Sequence, residues 1–552
     1  MGKLVITLNT IKYLKPVQIY GRYLQKIKRK ICKTKYTEYT MIPHWIPLSI
    51  TELDADPDYI SRFDVQSILE EKITLLHHIV NPEYGRNPDK DFTPLIRFNL
   101  HYFEYAIAMA AEYKRTNDRR YSEAFKKLYT RYIEERKGYS AYVASLHIPN
   151  ILIALDLFGN AVDNDFRKTI TKELYRQYQF LLGNQEIYLQ GNHYFENLKA
   201  IIIGSVFYDE TDICKKYVEK LKKEVTEEIL PDGMHYELSA MYHKLILEDL
   251  LRVYVALGQT SIDRNWVVPI IQKMTDCALS LECVMHRTPL FNDAGDNVAK
   301  KSKPLSQAVA RLIRYTPSLK KAFPNAGYYI RQEEAYALLI DSGQIGPPHM
   351  PGHGQCDCLS FEMSIKGIPV FVNSGTYQYQ GDKRKYFRST RAHNTVMIDG
   401  SEQSQCWGEH RVALRISDVA SHQETEQFTG SYRNYRGELH SRRFVFEKYR
   451  IKVIDSFSVD KKRKIESYLH ITPSCSVGLE NEVLSIIKGN ERVCVIKPIA
   501  ADISIHDFGD LAVYAPEFGE IEKGTCILFS WESDSDEHGY IIEIAEGEKK
   551  ND

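Results

Sequence analysis

The sequence lacks an excess of charge of either sign, a paired-cysteine motif and a long hydrophobic run. Its 72 Lys and Arg nearly balance 73 Asp and Glu over 552 residues, for a net charge of −1, so the composition does not argue for nucleic acid as a partner. The ten cysteines are scattered, with no CxxC pair and no zinc-finger spacing, which favours free thiols in a reducing compartment. No run of about 20 apolar residues occurs, so the sequence predicts no membrane-spanning helix.

Acidic residues are also missing from residues 1–37, which carry ten Lys or Arg. The apolar runs there are too short and too interrupted for a signal peptide, so we expect a cytoplasmic protein. We assign residues 1–40 to a basic N-terminal arm and interpret it as a helix docked on the rest of the protein. The alternative is a peripheral contact with an anionic inner-membrane surface, in which the side chains facing lipid are Leu14, Val17, Leu24, Ile27 and Ile31.

The remaining chain is too long for one compact core, so two or three domains are expected in total. From about residue 95 to 330, apolar residues recur at helical spacing, as in YELSAMYHKLILEDLLRVYVAL. From about residue 331 the period changes to alternation, as in LSFEMSIKGIPVFVNSG. The sequence therefore predicts paired helices stacked in an open or closed ring over 41–335, then a stacked antiparallel sandwich over 336–552.

Four stretches place chemically able side chains where an apolar pattern would otherwise continue. The candidates are Asn192, His193 and Glu196 in QGNHYFEN; Tyr236, Tyr242 and His243 in DGMHYELSAMYHK; His353 in PGHGQCD; and Tyr386, Arg388, His393 and Asn394 in RKYFRSTRAHNTV. Taken alone, His193 is better explained as a satisfied helix histidine, whereas Tyr242 is explained equally well as a core residue. His353 is harder to explain by packing, because its flanking glycines let the backbone approach a ligand.

Taken together, these stretches resemble the heparinase II/III family of polysaccharide lyases, which is alginate lyase- and heparinase-like. The resemblance runs from FNLHYFEYA, which contains His101 and Tyr102, to MIDGSEQSQCWG. It implies an α+β multidomain fold with an N-terminal (α/α) toroid of paired helices followed by a C-terminal antiparallel β-sandwich. Because no signal peptide is seen, the chain looks similar to cytoplasmic members associated with bacterial surface-polysaccharide production.

The resemblance implies a lyase that cleaves a uronic-acid polysaccharide or oligosaccharide by β-elimination. Removing the weakly acidic C5 proton builds negative charge on the carboxylate, which Asn192 and His193 would neutralise. Tyr242 would be the acid at O4 and is also a candidate base, while His353 would be base or charge neutraliser. Tyr236 is the rival of Tyr242, and Glu196 would orient His193 or bind the sugar. Further implied substrate-binding residues are Tyr386, Arg388, His393, Asn394, His101 and Tyr102.

Three positions depart from the family pattern. Gln355 and Asn373 stand where a zinc-binding His and Asp are usual, and neutral amides are poor zinc ligands. We therefore expect no bound zinc and no other cofactor, with Gln355 and Asn373 hydrogen-bonded to each other and His393 left from the old site. His147 replaces a usual Arg, which leaves the charge of the substrate open.

Two other functions are compatible with these residues. A glycoside hydrolase on the same toroid needs two carboxylates, for which Asp293 and Asp296 with Glu196 or Glu237 are available. A non-catalytic glycan-binding or assembly protein of a polysaccharide pathway is the other alternative. The lyase hypothesis predicts that Asn192, His193, Tyr242 and His353 converge in one substrate-sized pocket.

Overall fold

The structure is a computed structural model that describes residues 2–31, 43–50, 60–85, 93–136, 138–459, 461–507, 509–534 and 537–545. Its described residues form a helical N-terminal part and a C-terminal part of antiparallel sheets, so the predicted α+β order is confirmed. The helices are α1 (Lys3–Ile11), α2 (Pro16–Ile31), α3 (Val65–Leu69), α4 (Pro94–Tyr102), α5 (Tyr105–Thr116), α6 (Arg120–Glu135), α7 (Ala141–Phe158), α8 (Asn164–Gly183), α9 (Gly191–Phe207), α10 (Thr211–Glu228), α11 (Ala240–Leu257), α12 (Val268–Met285), α13 (Ser302–Ile313) and α14 (Asp382–Phe387).

The long helices alternate between an inner and an outer layer, as a toroid requires. Helices α5, α7, α9 and α11 pack against one another, while α6, α8 and α10 flank them. The sequence explains the division, because α9 is buried at every residue except His193, whereas α6 buries only one face through residues such as Phe125 and Leu128. Side chains on α9 and α11 therefore point into the enclosed interior rather than into bulk water.

Helix α7 corrects the expectation that no segment is long and apolar enough to cross a membrane. By length and mean hydropathy, the segment Ala141–Ala161 is long and apolar enough to cross a membrane, but 67% of it is buried inside the protein. It also contains His147, Pro149 and Asn150, of which the first two are buried. Burial on an inner layer of the toroid accounts for its apolar composition.

The strands are β1 (Ile73–Leu75), β2 (His78–Val80), β3 (Ala322–Phe323), β4 (Tyr328–Gln332), β5 (Tyr336–Asp341), β6 (Phe361–Ile365), β7 (Ile368–Phe371), β8 (Val396–Ile398), β9 (Cys406–Trp407), β10 (Arg411–Val412), β11 (Ser417–Gln423), β12 (Gln427–Arg433), β13 (Leu439–Glu447), β14 (Arg450–Ser458), β15 (Lys464–Ile471), β16 (Ser476–Glu480), β17 (Val483–Lys488), β18 (Glu491–Ile499), β19 (Asp502–His506), β20 (Val513–Tyr514), β21 (Glu522–Lys523), β22 (Thr525–Glu532) and β23 (His538–Ile544).

The sandwich consists of an eight-stranded and a nine-stranded antiparallel sheet with one hydrophobic core between them. In the first the order is β11-β12-β13-β14-β23-β18-β17-β16, and in the second β19-β22-β15-β7-β6-β5-β4-β3, with β8 also paired to β15. Along β13 buried residues alternate with half-exposed ones, the pattern of a sheet with one covered face. The second sheet begins at Ala322, within the segment assigned to the toroid from the sequence.

The basic arm docks on both domains through one side of α1 and α2. Trp407 Nε1 donates to Thr10 Oγ1 at 2.9 Å, and the buried Gln18 donates through Nε2 to the His349 carbonyl at 3.0 Å. Lys15 forms an ion pair with Glu227 of the toroid. On the side that makes these contacts, the arm is therefore docked on the rest of the protein, as the sequence interpretation expected.

Some of the residues proposed to face lipid are covered by this docking, and others are exposed. Leu14 lines an internal cavity and Val17 is half-buried, so neither faces outward as the membrane alternative required. Leu24 and Ile27 are exposed. The side chain of Ile31 lies outside the described residues.

A buried ion pair links β13 to β14 within the sandwich. Arg442 Nε lies 2.8 Å from Asp455 Oδ1, and its Nη2 lies 2.9 Å from Oδ2. His440 Nε2 completes the cluster at 2.7 Å from Asp455 Oδ1. Burial alone would raise the pKa of Asp455, but Arg442 and His440 hold it at about 2. Asp455 therefore stays ionised, and its carboxylate balances the buried charge of Arg442.

Replacing Asp455 with Ala should lower the free energy of unfolding by about 3–5 kcal/mol, because it leaves Arg442 buried without a counter-charge. Urea unfolding followed by circular dichroism measures this loss. Asp418→Ala is the matched control, since Asp418 pairs with Arg433 at 3.2 Å on the exposed surface and should cost less than about 1 kcal/mol. Equal losses for the two variants would contradict the assignment.

Candidate active site

A cavity of about 610 Å³ lies where the inner toroid helices meet the sandwich. Among the described residues its walls come from both domains, from the basic arm and from the β9–β10 hairpin. The polar side chains that line it include Asn192, His193, Glu196, Tyr242, His353, Tyr379, His410, Arg411 and Arg415. The predicted convergence of Asn192, His193, Tyr242 and His353 is thus seen in the structure.

Gly191 allows Asn192 to enter the site. Its φ of +55° is unfavourable for other residues, and an added Cβ would lie 2.4 Å from Glu237 Oε1. The close approach lets the Asn192 backbone N–H donate to that oxygen at 3.1 Å. The Asn192 side chain is held in turn, because its Nδ2 lies 3.1 Å from each Glu237 oxygen and 3.3 Å from His353 Nε2.

His353 is oriented by a buried carboxylate from the toroid. Its Nδ1 lies 3.0 Å from Asp293 Oδ2, which leaves Nε2 directed toward Asn192 and the cavity. Asp293 also forms a two-pronged ion pair with the buried Arg384 of α14. Burial alone would raise the pKa of Asp293, but Arg384 and His353 together hold it below its ordinary range. The ionised Asp293 therefore fixes the His353 ring with its Nδ1 as the donor.

Tyr242 lies against His353 and is bonded to a second tyrosine. The two ring centroids are 4.1 Å apart, and the Tyr242 hydroxyl lies 2.6 Å from that of Tyr379. Burial, and then the neighbouring Tyr379, raise the pKa of Tyr242 well above its ordinary value. Tyr242 is therefore a protonated hydroxyl at neutral pH. This is the state in which it donates a proton.

His193 and Glu196 line the same cavity but do not pair with each other. His193 Nδ1 lies 3.1 Å from Glu186 Oε2, and its ring lies 4.3 Å from that of Tyr142. Glu196 is buried in an ion pair with Lys199, which also bonds Asp249 Oδ1 at 2.9 Å. The expectation that Glu196 orients His193 is therefore wrong, because Lys199 binds the carboxylate on the same helix.

The remaining candidates outside the RKYFRSTRAHNTV stretch belong mainly to the core. His243 donates through Nε2 to the Met274 carbonyl at 2.8 Å and is fully buried. Tyr236 is buried with its ring 5.8 Å from His349 and does not line the cavity. His101 is held in an aromatic cluster beside Tyr84, whereas its neighbour Tyr102 does line the cavity.

The RKYFRSTRAHNTV stretch builds the support of the site rather than its surface. The Tyr386 hydroxyl lies 3.3 Å from Ser374 Oγ, and Arg388 Nε donates to the Gly354 carbonyl at 3.0 Å. Asn394 Nδ2 donates to the Phe361 carbonyl at 2.7 Å. None of these three, nor the buried His393, lines the cavity, so their assignment as substrate-binding residues is corrected to a structural one.

The side chains at the positions that the resemblance assigns to zinc do not fit the metal. Gln355 Nε2 donates to Asp293 Oδ1 at 2.9 Å, and Asn373 Oδ1 accepts from Ser360 Oγ at 2.7 Å. His393 is the one zinc-type ligand of the three, and its Nδ1 lies 3.2 Å from Asn373 Oδ1. The expected bond between Gln355 and Asn373 is wrong, because each amide is used by a different neighbour.

The departure at His147 has no bearing on substrate charge. The ring is buried, with Nδ1 2.8 Å from the His101 carbonyl and Nε2 3.2 Å from the Tyr129 hydroxyl. Burial lowers the pKa of His147 to about 3, so the side chain is a neutral part of the core.

The carboxylates considered for a hydrolase are all engaged. Asp293 is bound by Arg384 and His353, and Glu237 by Asn192. Asp296 accepts from the Thr288 backbone N–H at 3.0 Å. With Glu196 paired to Lys199, each of the four already has a partner within the protein, which disfavours a pair of carboxylates flanking a scissile bond.

Several functional side chains were not identified from the sequence. Tyr379, Arg384 and His410 were overlooked, and Glu237 was considered only as a hydrolase acid. Arg384 occupies the same stretch as the candidates Tyr386 and Arg388. Three consecutive basic residues, KRK, precede Tyr386, and that pattern is normally read as a solvated surface. Tyr379 lies in the glycine-flanked SGTYQYQG segment after β7, and that position was the signal in the sequence that could have identified it.

Fold and site together define a protein of the toroid-and-sandwich class with a polar cleft between its domains. Two family models match this chain: "Heparinase II/III N-terminus" over residues 76–321 and "Heparinase II/III-like, C-terminal" over residues 316–527. The chain belongs to the heparinase II/III family.

Known relatives are distant in sequence and similar in fold. A heparin-sulfate lyase of Pedobacter heparinus is 23% identical over 367 residues, covering 57% of this chain and 54% of the relative. One of Bacteroides thetaiotaomicron is 24% identical, covering 64% and 60%. The chain thus spans little more than half the length of these relatives. The crystal structure of heparinase III matches with a TM-score of 0.66 at 15% identity, covering 96% of this chain and 93% of that one.

Acid should destabilise the protein through its buried neutral histidines. Burial lowers the pKa of His147, His243 and His393 to about 3 from 6.5, so the unfolded chain binds more protons between these values. Stability is therefore fully present above about pH 6.5 and falls as the pH drops toward 3, by up to about 1.4 kcal/mol per pH unit for each group. Urea unfolding across this interval measures the slope.

His393→Gln should make this slope shallower by one titrating group. His422→Gln is the control, since that side chain is exposed on β11 and should leave the slope unchanged. If both variants kept the parent slope, buried His393 would not be a neutral group that gains a proton on unfolding.

Proposed function

We propose that this protein cleaves a uronic-acid-containing glycan by β-elimination. The observation that carries the proposal is the contact of three chemically different groups, Asn192, His353 and Tyr242, at one point of the interdomain cavity. An amide, an imidazole and a phenol are the groups that this reaction needs for charge neutralisation, proton removal and proton donation.

The substrate carboxylate is assigned to the α9 side of the cavity. Asn192 and His193 both line it there, and negative charge grows on the carboxylate as the C5 proton leaves. Donors fixed before the reaction stabilise that charge best, because they do not have to reorganise. Glu237 fixes Asn192 and Glu186 fixes His193, so both donors are held by carboxylates behind them.

The geometry favours His353 as the base and Tyr242 as the acid. Asp293 holds His353 through Nδ1, which leaves Nε2 to take the C5 proton. The raised pKa of Tyr242 keeps its hydroxyl protonated, so a proton is present there for the departing O4. Tyr379 is bonded to the Tyr242 hydroxyl and thereby directs it.

Contact between the two rings also limits the stereochemistry. With centroids 4.1 Å apart, Tyr242 and His353 leave no space for a sugar ring between them. Both must then act on one face of the sugar, which suits a uronate whose C5 hydrogen and O4 lie on the same side. Glucuronic acid has that configuration and iduronic acid has the opposite one.

An acidic polysaccharide or oligosaccharide as substrate is supported by arginines at the cavity and by the relatives. Arg411 lies 4.7 Å from the Trp407 ring and Arg415 lies 3.9 Å from the Tyr13 ring. Stacking holds the guanidinium plane of Arg411 while its N–H groups remain able to bind carboxylate or sulfate, whereas Arg415 also donates through Nη1 to the Pro348 carbonyl at 3.0 Å. Two relatives in this family are named heparin-sulfate lyases. A cytoplasmic location stays a prediction.

Tyr242→Phe and His353→Ala should each lower kcat by about 10²–10⁴-fold, because each removes one proton-transfer group. The readout is ultraviolet absorbance of the 4,5-unsaturated product on a panel of glucuronate and iduronate glycans. Tyr236→Phe is the matched control and should keep full activity, since its ring does not line the cavity. Glycan binding without absorbance would mean a binding protein, and new reducing ends without absorbance a hydrolase.

Arg411→Ala should raise KM about tenfold with little change in kcat, because the guanidinium would bind substrate equally before and during the reaction. Steady-state kinetics on the best glycan of the panel measures both constants. Arg436→Ala is the control, an exposed arginine that also lies over a tyrosine but outside the cavity. A fall in kcat at unchanged KM would instead give Arg411 a role in the chemical step.

A further inference from the structure

The outer side of the basic arm carries a large exposed apolar surface. Of the 14 large hydrophobic side chains exposed among the described residues, nine fall on α1 and α2, with 40–71% exposure. They are Leu4, Val5, Leu8, Ile11, Ile19, Tyr20, Tyr23, Leu24 and Ile27. We define these nine as the outer face of the arm. Spacing of three and four residues, as in Leu4, Leu8 and Ile11, aligns them along each helix.

The same segment has basic charge without any acidic residue. Residues 1–37 contain ten Lys or Arg and no Asp or Glu, although the whole chain has a net charge of −1. Lys3 and Lys12 are exposed beside the apolar residues. A basic and apolar face is the composition of helices that lie in the headgroup region of anionic bilayers, and Tyr20 and Tyr23 suit that boundary.

The arm is held in place independently of the outer face. Its inner side is fixed by the Thr10–Trp407 and Gln18–His349 bonds and by the Lys15–Glu227 ion pair. The exposed side chains are therefore presented by anchored helices, and no folding is needed before they meet a surface. Exposed apolar surface of this extent marks an interaction site in soluble proteins.

We propose that the outer face of the arm docks on a bilayer surface containing anionic lipid. A second copy of this chain fits less well, because two segments that are each basic and without an acidic residue would meet as like charges. Anionic headgroups neutralise that charge while the acyl boundary covers the apolar side chains. The proposal does not depend on the lyase chemistry.

Docking would bring the cleft to the membrane. Thr10, Leu14, Gln18 and Arg22 of the same two helices line the interdomain cavity, so the arm separates the cavity from the docking surface by one helix thickness. A glycan attached to or close against a bilayer is then the substrate form that the enzyme meets first.

The test is flotation of the full-length protein with vesicles of equal parts phosphatidylglycerol and phosphatidylcholine, against pure phosphatidylcholine. We expect binding to the anionic vesicles alone, weakened by salt. Lys3→Ala with Lys12→Ala should reduce partitioning about thirtyfold, as expected for two headgroup-facing charges. Leu8→Ser with Leu24→Ser should abolish it.

Leu319→Ser with Leu479→Ser is the matched control, because both leucines are exposed on other elements and should leave binding unchanged. All variants alter exposed side chains, and unchanged thermal melting shows that each is folded. Failure to float with anionic vesicles, or equal binding to neutral ones, would overturn the proposal. So would a dimer in sedimentation analysis that Leu8→Ser with Leu24→Ser dissolves, since the outer face would then join two copies.

Discussion

The site depends on one buried charge, the carboxylate of Asp293. A carboxylate without exposure to water is stable only when donors surround it, and here Arg384, His353 and Gln355 supply them from the sandwich side. Asp293 itself follows α12, which packs against β4 to β6. The ion pair therefore fixes the two domains against each other at the cavity and sets the orientation of His353 in the same contact. Removing the charge would leave Arg384 buried without a partner and His353 without its orienting acceptor.

The same need to satisfy buried polar groups applies to the α9 wall of the cavity, which belongs to the inner layer of the toroid. Because α9 is buried on almost every side, its polar residues must find partners inside the protein. Glu237 bonds Asn192, and Lys199 is shared by Glu196 and Asp249. These contacts make the wall rigid before any ligand enters, so the groups that face the cavity are preorganised for charge that develops there. Residues of the arm line the same cavity, so the arm forms part of its wall.

Much of this organisation is readable from residue patterns. The change from helical to alternating periodicity predicts the toroid and the sandwich, although the first strands at Ala322 fall ahead of the predicted boundary. Asn192, His193, Tyr242 and His353 became candidates because polar residues interrupted apolar patterns or followed glycine, and the resemblance to the heparinase II/III family then assigned them their roles. Patterns misled where a polar residue serves the backbone: Asn394 bonds strand carbonyls and Arg388 bonds a loop carbonyl, and both looked like ligands for a sugar. No local pattern connects Asp293 with Arg384, which are 91 residues apart.

The sequence by itself determined the two-domain order, the basic arm and the residue types available for the chemistry, because periodicity, charge and motif are properties of neighbouring residues. Only the tertiary structure decided which of these residues act together. It engaged all the candidate hydrolase carboxylates, placed Tyr379 on Tyr242, and gave the arm an inner docked side and an outer apolar side. The physical reason is that the role of a polar group is set by the partner that satisfies it when buried, and partners come from segments distant in the chain.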